Sequence, residues 1–281
     1  MSKFCTFETA WCPGCGNAVI LECLKTALEE LGKHPCEVLV AAGIGQAAKT
    51  PQYINTNAFC GLHGRSLPAA AAAKIANEKL TVIVNTGDGD SYGEGGNHFL
   101  HNIRRNVDIT HFVHDNQIYG LTKGQASPTS MEGFVTGVQT DGNHNEPLNP
   151  VLLAIAAGAG FVARAFTGHK DHLIALMKEA IQYPGYALID ILQPCVSFNK
   201  TNTFAWYHKR VYELDASYDP SSKEHALLKA LEFDDHIPIG ILYKSVKETF
   251  HQKNDLLKQG TPLLDLKLEP SKLEEFINEY I

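Results

Sequence analysis

Short apolar runs of strand length alternate with helical segments through the first two thirds of the chain, and that alternation leaves few folds open. Residues 37–42, 80–85, 109–114, 161–165 and 186–192 are such runs. Strands that are apolar on both faces suit the interior of a parallel sheet. Between them, residues 18–31 carry Ile20, Leu21, Leu24, Leu28 and Leu31 at helical spacing and stop at Gly32, a C-terminal cap signal. Residues 66–76, 97–106, 150–159 and 170–182 read as further helices. The alternation predicts an α/β fold: a mostly parallel sheet with helices on both faces. Residues 1–200 are expected to form this domain. Beyond Cys195 the periodicity weakens, and residues 201–281 are expected to be a C-terminal tail of short helices, peripheral, packing on the domain or on a partner subunit.

Hydrophobic residues make up 44% and charged residues 20% of the chain, too apolar for a disordered protein. The net charge of -7 argues against nucleic acid or an anionic membrane surface as partner. Residues 1–10 lack the pattern of a signal peptide, and no stretch approaches the roughly 20 apolar residues of a membrane helix. A cytoplasmic protein is expected. Seven cysteines, an odd number, argue against a disulfide framework. Cys23 and Cys36 read as ordinary buried or half-buried thiols.

Three segments carry chemistry. Gly43-Ile44-Gly45-Gln46-Ala47-Ala48 fits a dinucleotide fingerprint only weakly, because Pro51 interrupts the following helix and no acidic residue stands about 20 positions on. Gly87-Asp88-Gly89-Asp90 directly follows a strand, where open α/β sheets bind ligands. Its glycines admit a phosphate close to the backbone, and Asp88 offers a hard oxygen to a divalent cation. Asn116, 28 positions beyond Asp88, ends the next strand within Asp115-Asn116-Gln117-Ile118. One strand–helix–strand unit would bring both strand ends to one edge. There a carboxylate, an amide oxygen and a backbone carbonyl can share Mg²⁺ with a diphosphate.

This Gly-Asp-Gly, with Asn about 27 residues later, resembles the diphosphate-binding motif of thiamine diphosphate enzymes. Over nearly its whole length the chain resembles the β subunit of 2-oxoacid:ferredoxin oxidoreductases. The matching stretches are WCPGCGN at 11–17, LHGR at 62–65, GDGD at 87–90, GGNHFLHNIRRNVDIT at 95–110, DNQIYGLTKGQASPTS at 115–130 and LQPCVSFN at 192–199. The resemblance implies a thiamine diphosphate-binding fold and oxidative decarboxylation of a 2-oxoacid with coenzyme A, electrons passing to ferredoxin. It implies Mg²⁺ on Asp88, Asn116 and the Ile118 carbonyl. Gly45, Gln46, Gly87, Gly89, Asp90, Gly120, Leu121 and Thr122 are then expected along the cofactor, with Leu121, Thr122 and Lys123 on a loop over the substrate and residues 124–130 shaping its mouth. It also implies a 4Fe-4S cluster on Cys12, Cys15 and Cys195. The fourth ligand is expected at position 46, which here is Gln46; Cys60 is the candidate replacement, and another ligand in place of cysteine, or a three-cysteine, labile or absent cluster, are the alternatives. The glutamate that activates thiamine belongs to a separate α subunit in this family, so an obligate partner chain is implied.

His63 and Arg65 can meet a diphosphate or a substrate carboxylate, and Lys49 adds a cation near the same edge. With Lys123 these are the candidate catalytic residues. His98 and His101, one turn apart, read as packing residues, as do Trp206 and Tyr207. Zinc is the competing occupant for Cys12 and Cys15, but it lacks the partner pair it needs. Two other functions use parts of this set. A non-redox thiamine-dependent 2-oxoacid decarboxylase subunit would need no cluster. A non-catalytic iron–sulfur electron-transfer subunit would need no Gly-Asp-Gly-Asp.

Overall fold

The computed structural model describes residues 3–5, 7–267 and 270–281, with backbone alone for Lys272. Helix α1 (Gly16–Glu30) leads into β1 (Val38–Ala42), α2 (Thr50–Tyr53), β2 (Asn57–Cys60), α3 (Ser66–Ala76) and β3 (Thr81–Gly87). A π-helical turn, Gly89–Glu94, then opens into α4 (Gly96–Arg105) and β4 (Thr110–Asp115). After a long connection come α5 (Pro150–Ala156), β5 (Phe161–Phe166), α6 (Lys170–Gln182) and β6 (Ala187–Leu192). The chain ends with α7 (Phe204–His208), β7 (Val211–Glu213), α8 (Lys223–Ala230), β8 (Ile237–Lys244), α9 (Phe250–Lys253) and α10 (Pro270–Asn278).

Among the described residues, eight strands lie in one sheet of order β2-β1-β3-β4-β6-β5-β8-β7. The first six pair in parallel. Alternate residues of each strand feed opposite faces, as the two-residue period requires. Val40, Ile83, Phe112, Ala163 and Ile189 pack with α1, α2 and α6. Val82, Val84, Val113, Val162 and Leu188 pack with α3, α4, α5 and α8. The chain leaves β1 toward β2 and leaves β3 toward β4, in opposite directions along the sheet. A crevice therefore opens beyond the ends of β1 and β3, the switch point where such sheets take ligands.

Two expectations need correction. The C-terminal segment is not only a tail of short helices: β8 pairs antiparallel with β5, β7 pairs with β8, and a small apolar cluster of Phe166, Leu192, Tyr207, Ile237 and Ile239 ties them to the sheet. Pro238 and Gly240 hide this strand, since both normally argue against a strand interior. Gly240 has φ +133°, and the β5–β8 register shifts at Val162/Ala163, so the breaker marks an irregularity within a real strand. Cys36, expected as buried or half-buried, is exposed beside the His34 ring. Tyr207 is buried as a packing anchor. Among the described residues no helix is long and apolar enough to cross a membrane.

Two buried histidines cross-link the layers. His114 joins Asn17 on α1 (2.8 Å) to Asn85 on β3 (3.1 Å). His111 meets Thr86 (2.8 Å), Ser91 (3.0 Å) and Tyr186 (2.7 Å) on the other face. Burial holds both imidazoles neutral, with proton affinity lowered to about 3. The unfolded histidine titrates near its ordinary value of about 6.5. Folded protein therefore binds fewer protons than unfolded protein below that pH, and stability from this source is lost as pH falls. The stability advantage of wild type over His111→Gln should shrink by about 1.4 kcal/mol per pH unit below about pH 6. Urea unfolding of both proteins at pH 7.5 and 5 measures it; a gap independent of pH would contradict the neutral-histidine assignment.

Candidate functional site: a diphosphate cleft beside a three-cysteine pocket

A cleft of ≈ 500 Å³ occupies the switch point. Its walls come from the turns after three strands: Ile44–Ala47 after β1, Gly87–Asp90 after β3, and Asn116 with Ile118–Thr122 after β4. His63 completes it. Asp88, Asn116 and Ile118, expected as metal ligands, thus stand on one cavity wall, as do Gly45, Gln46, Gly87, Gly89, Asp90, Gly120, Leu121 and Thr122. Lys49, Arg65 and Lys123 are not among the lining residues. Arg65 is exposed and meets His98 Nε2 at 3.1 Å, and Lys123 is an exposed loop residue with φ +74°.

The two acids of the Gly-Asp-Gly-Asp segment have separate tasks. Asp88 is 2% exposed, and its Oδ2 accepts hydrogen bonds from Ser127 Oγ (2.5 Å) and Thr129 Oγ1 (2.8 Å). Burial pushes its carboxyl up to about 6, against those two donors. Asp115 is pushed well above the carboxylate range by burial, then by Asp190 and Asp88. Burial also raises Asp190 to about 6, with Arg164 opposing. The buried Arg164 guanidinium acts on Asp190 and Asp115, and a divalent cation at Asp88 would supply positive charge to the third carboxyl. The donor set (carboxylate, amide, carbonyl) is the hard-oxygen set that Mg²⁺ takes.

Asp90 instead ties loops together. Its Oδ1 accepts the backbone N–H of Ile44 (3.1 Å) and of Gly64 (2.7 Å), and His63 Nε2 lies 3.7 Å from the same oxygen. Gly43 is required for this contact, because a Cβ there would sit 2.3 Å from Asp90 Oδ2. Gly89 is required for another: its Cβ would meet the Tyr119 ring at 2.1 Å. That ring donates its hydroxyl to Glu94 (3.2 Å) at the cleft mouth, where His63 Nε2 is 3.4 Å from the same carboxylate.

The connection between β4 and α5 is held from within. Asn143 Nδ2 donates to the carbonyls of Ser130, Met131 and Asn145, and Ser130 Oγ donates to the Gln117 carbonyl. Residues 124–130, expected to shape the mouth, carry Ser127 and Thr129 to the buried side of Asp88. Sequence reasoning missed these hydroxyls, and also Tyr119 and Glu94. The only local signal was the run of Ser and Thr in QASPTS.

A second pocket, of ≈ 430 Å³, adjoins the cleft. Cys12, Cys15 and Cys195 line it, and Gln46, Asn116 and Gly120 belong to both cavities. Cys12 and Cys15 stand on the loop leading into α1; Cys195 follows β6. Each sulfur accepts a hydrogen bond: Cys12 from Ser197 Oγ (3.1 Å), Cys15 from Gln193 Nε2 (3.6 Å) and Cys195 from the Phe198 N–H (3.4 Å). Burial, then the neighbouring Cys195 and Cys12, pushes the Cys15 thiol up. Among the described residues, no three His, Cys, Asp or Glu side chains converge on a single ion. Three sulfurs spaced around a pocket suit a multi-iron cluster, which takes one thiolate per corner, better than a lone zinc. Cys60 is absent from this wall; it stands exposed on the edge strand β2.

Known proteins agree with this geometry. A family model described as "Thiamine pyrophosphate enzyme, C-terminal TPP binding domain" matches residues 36–191, and a second, for the C-terminal part of the pyruvate ferredoxin oxidoreductase β chain, matches residues 195–259. The chain is 45% identical over 257 residues to a 2-oxoacid:ferredoxin oxidoreductase subunit beta of Saccharolobus solfataricus, covering 86% of this chain and 84% of the relative. It belongs to that β-subunit family. A 2-oxoglutarate synthase subunit of Archaeoglobus fulgidus is 34% identical, with 89% of this chain and 90% of that one covered. The solved 2-oxoglutarate:ferredoxin oxidoreductase from Magnetococcus marinus, with 2-oxoglutarate, coenzyme A and succinyl-CoA bound, superposes with a TM-score of 0.90 at 34% identity, covering 96% of this chain and 92% of that one. The expected fold and the thiamine-dependent oxidoreductase class therefore hold for this β subunit.

The strut assigned to Asp90 is testable in backbone terms. Hydrogen bonds to a charged acceptor contribute roughly 1.5–3 kcal/mol each. In Asp90→Ala, amide exchange at Ile44 and Gly64 should speed up about 10–100-fold while β3 amides stay protected. Unchanged exchange at both amides would remove Asp90 from this role.

Proposed function

We propose that the cleft holds thiamine diphosphate by its diphosphate end, and that the chain works in the oxidative decarboxylation of a 2-oxoacid to an acyl-CoA. The observation that carries this reading is the shared wall: the cleft at the ends of β1, β3 and β4 abuts the three-cysteine pocket through Gln46, Asn116 and Gly120. Gly87 and Gly89 let the backbone approach the diphosphate. Asp88, Asn116 and the Ile118 carbonyl would hold Mg²⁺ against it, with Ser127 and Thr129 fixing the Asp88 carboxylate. His63 faces the cleft from the side of Glu94 and can meet an anionic group there. Bound thiamine supplies an electron sink for decarboxylation.

The electrons must leave one at a time for a one-electron acceptor, which we take to be ferredoxin. A 4Fe-4S cluster on Cys12, Cys15 and Cys195 would serve as the first station, one wall away from the cofactor. This pocket favours the redox reading over a non-redox decarboxylase. The relatives' names and the ligands of the Magnetococcus enzyme point to 2-oxoglutarate as a substrate and coenzyme A as the acyl acceptor.

A second chain is also part of the proposal. The carboxylates on the cleft wall are Asp88 and Asp90, and both are engaged at the diphosphate end. In the family the chain resembles, the carboxylate that activates the far end of thiamine comes from a separate α subunit, and we assign it to such a partner here. We place the assembly in the cytoplasm.

Calorimetry of thiamine diphosphate binding in Mg²⁺ tests the metal assignment. Asp88→Ala should weaken binding at least about 100-fold, consistent with loss of a buried charged ligand at about 3 kcal/mol or more. Affinity within a few-fold of wild type would refute the site. The β chain alone should give no 2-oxoacid-dependent reduction of a viologen dye, and adding the α subunit should restore it. Robust turnover by the chain alone would refute the divided site.

A further inference from the structure

The cysteine pocket is incomplete on one side, and that side faces the cofactor. Resting on the cluster reading above, we propose that the pocket holds a four-iron cluster by three thiolates only, and that its fourth iron, at the Gln46 wall, is exchangeable.

Seven cysteines are available, and the fold disperses the four that do not line the pocket. Cys23 is buried on α1, with its thiol directed to the Lys170 carbonyl. Cys36 lies against His34. Cys60 is exposed on β2, paired with Ala42, and Cys5 is exposed near the start of the chain. None of them lines the pocket. The thiolates therefore approach from two elements, the loop before α1 and the turn after β6. The turn after β1 supplies Gln46 instead.

The other polar side chains around the pocket already have tasks. Ser197 donates to Cys12 and Gln193 to Cys15. The Asn17 amide oxygen receives His114. A neutral amide such as that of Gln46 is a poor iron donor compared with thiolate, so a cubane seated on three sulfurs presents one corner to water at this wall. Because Gln46 also lines the cleft, that corner lies on the cofactor side. Iron held by one fewer thiolate is the iron lost first on oxidation. The step balances as [4Fe-4S]²⁺ giving [3Fe-4S]⁺, Fe²⁺ and one electron, which an added oxidant such as ferricyanide accepts.

The test uses the whole complex, reconstituted anaerobically with iron and sulfide and then treated with ferricyanide. Wild type should lose about a quarter of its cluster iron, develop the paramagnetic signal of a three-iron cluster and, once dithionite supplies one electron per cluster, take ⁵⁷Fe²⁺ back into a single site by Mössbauer spectroscopy. Gln46→Cys should keep its iron and show no such signal. Gln46→Ala should behave as wild type, since the amide is not a ligand. If wild type retains all its iron and matches Gln46→Cys, a fourth protein ligand exists and the inference is overturned. If Gln46→Ala loses the cluster outright, Gln46 is that ligand and the inference is equally overturned. If none of the proteins binds iron, while thiamine diphosphate binding persists, the cluster reading itself falls and the cofactor reading survives.

Discussion

Asp88 is a carboxyl group buried at the end of β3 near two more, Asp115 and Asp190, and the Arg164 guanidinium acts on those two. Burying charge without compensation is expensive, and much of the surrounding structure reads as a response to that cost. Ser127 and Thr129 return from the long connection to donate to Asp88. Tyr92 donates to Asp190 at 2.8 Å. Arg164 anchors itself on the carbonyls of Ala230, Glu232 and Pro238, which helps to bring the C-terminal segment onto the sheet. Asp88 lies beside the cleft, where a divalent cation would offset both its charge and that of a bound diphosphate.

That arrangement separates two roles that the sequence places two letters apart. Asp88 is the acid we propose as metal ligand, whereas Asp90 gives one oxygen to two backbone amides and holds the turns after β1 and β2 in register with β3. The neighbouring pocket repeats the pattern with softer donors. Its three sulfurs each accept a hydrogen bond, and hydrogen bonds to cluster sulfurs are one of the protein's means of tuning potential. The two cavities share Gln46, Asn116 and Gly120, so cofactor and electron carrier would be neighbours across that shared wall.

The parallel core was legible because its signals are local. Residues 66–76 and 170–182 form helices over the expected spans, and the buried runs become β1, β3, β4, β5 and β6 within a residue or two. Glycine and acid at a strand end, with Asn116 one strand–helix–strand unit later, located the cleft by the same local rules. What was not legible depended on tertiary pairing. β8 was masked by Pro238 and Gly240, and β2 is an exposed edge of four residues. The hydroxyls of Ser127 and Thr129 sit about forty residues from the carboxylate they serve, and no periodicity marks such a contact. Cys60 was the candidate replacement for the missing fourth ligand, yet strand pairing with Ala42 leaves it on the sheet edge.

A single divalent cation between Asp88, Asn116 and the Ile118 carbonyl would tie the diphosphate to the switch point, and the proposed chemistry stands on it. Crystals grown with thiamine diphosphate and Mn²⁺ in place of Mg²⁺, measured at the manganese edge, would locate that ion. One anomalous peak is expected next to the diphosphate, within about 2.3 Å of oxygens from all three residues. A peak coordinated by Asp90 instead, or diphosphate bound with no metal at Asp88, would refute the assignment.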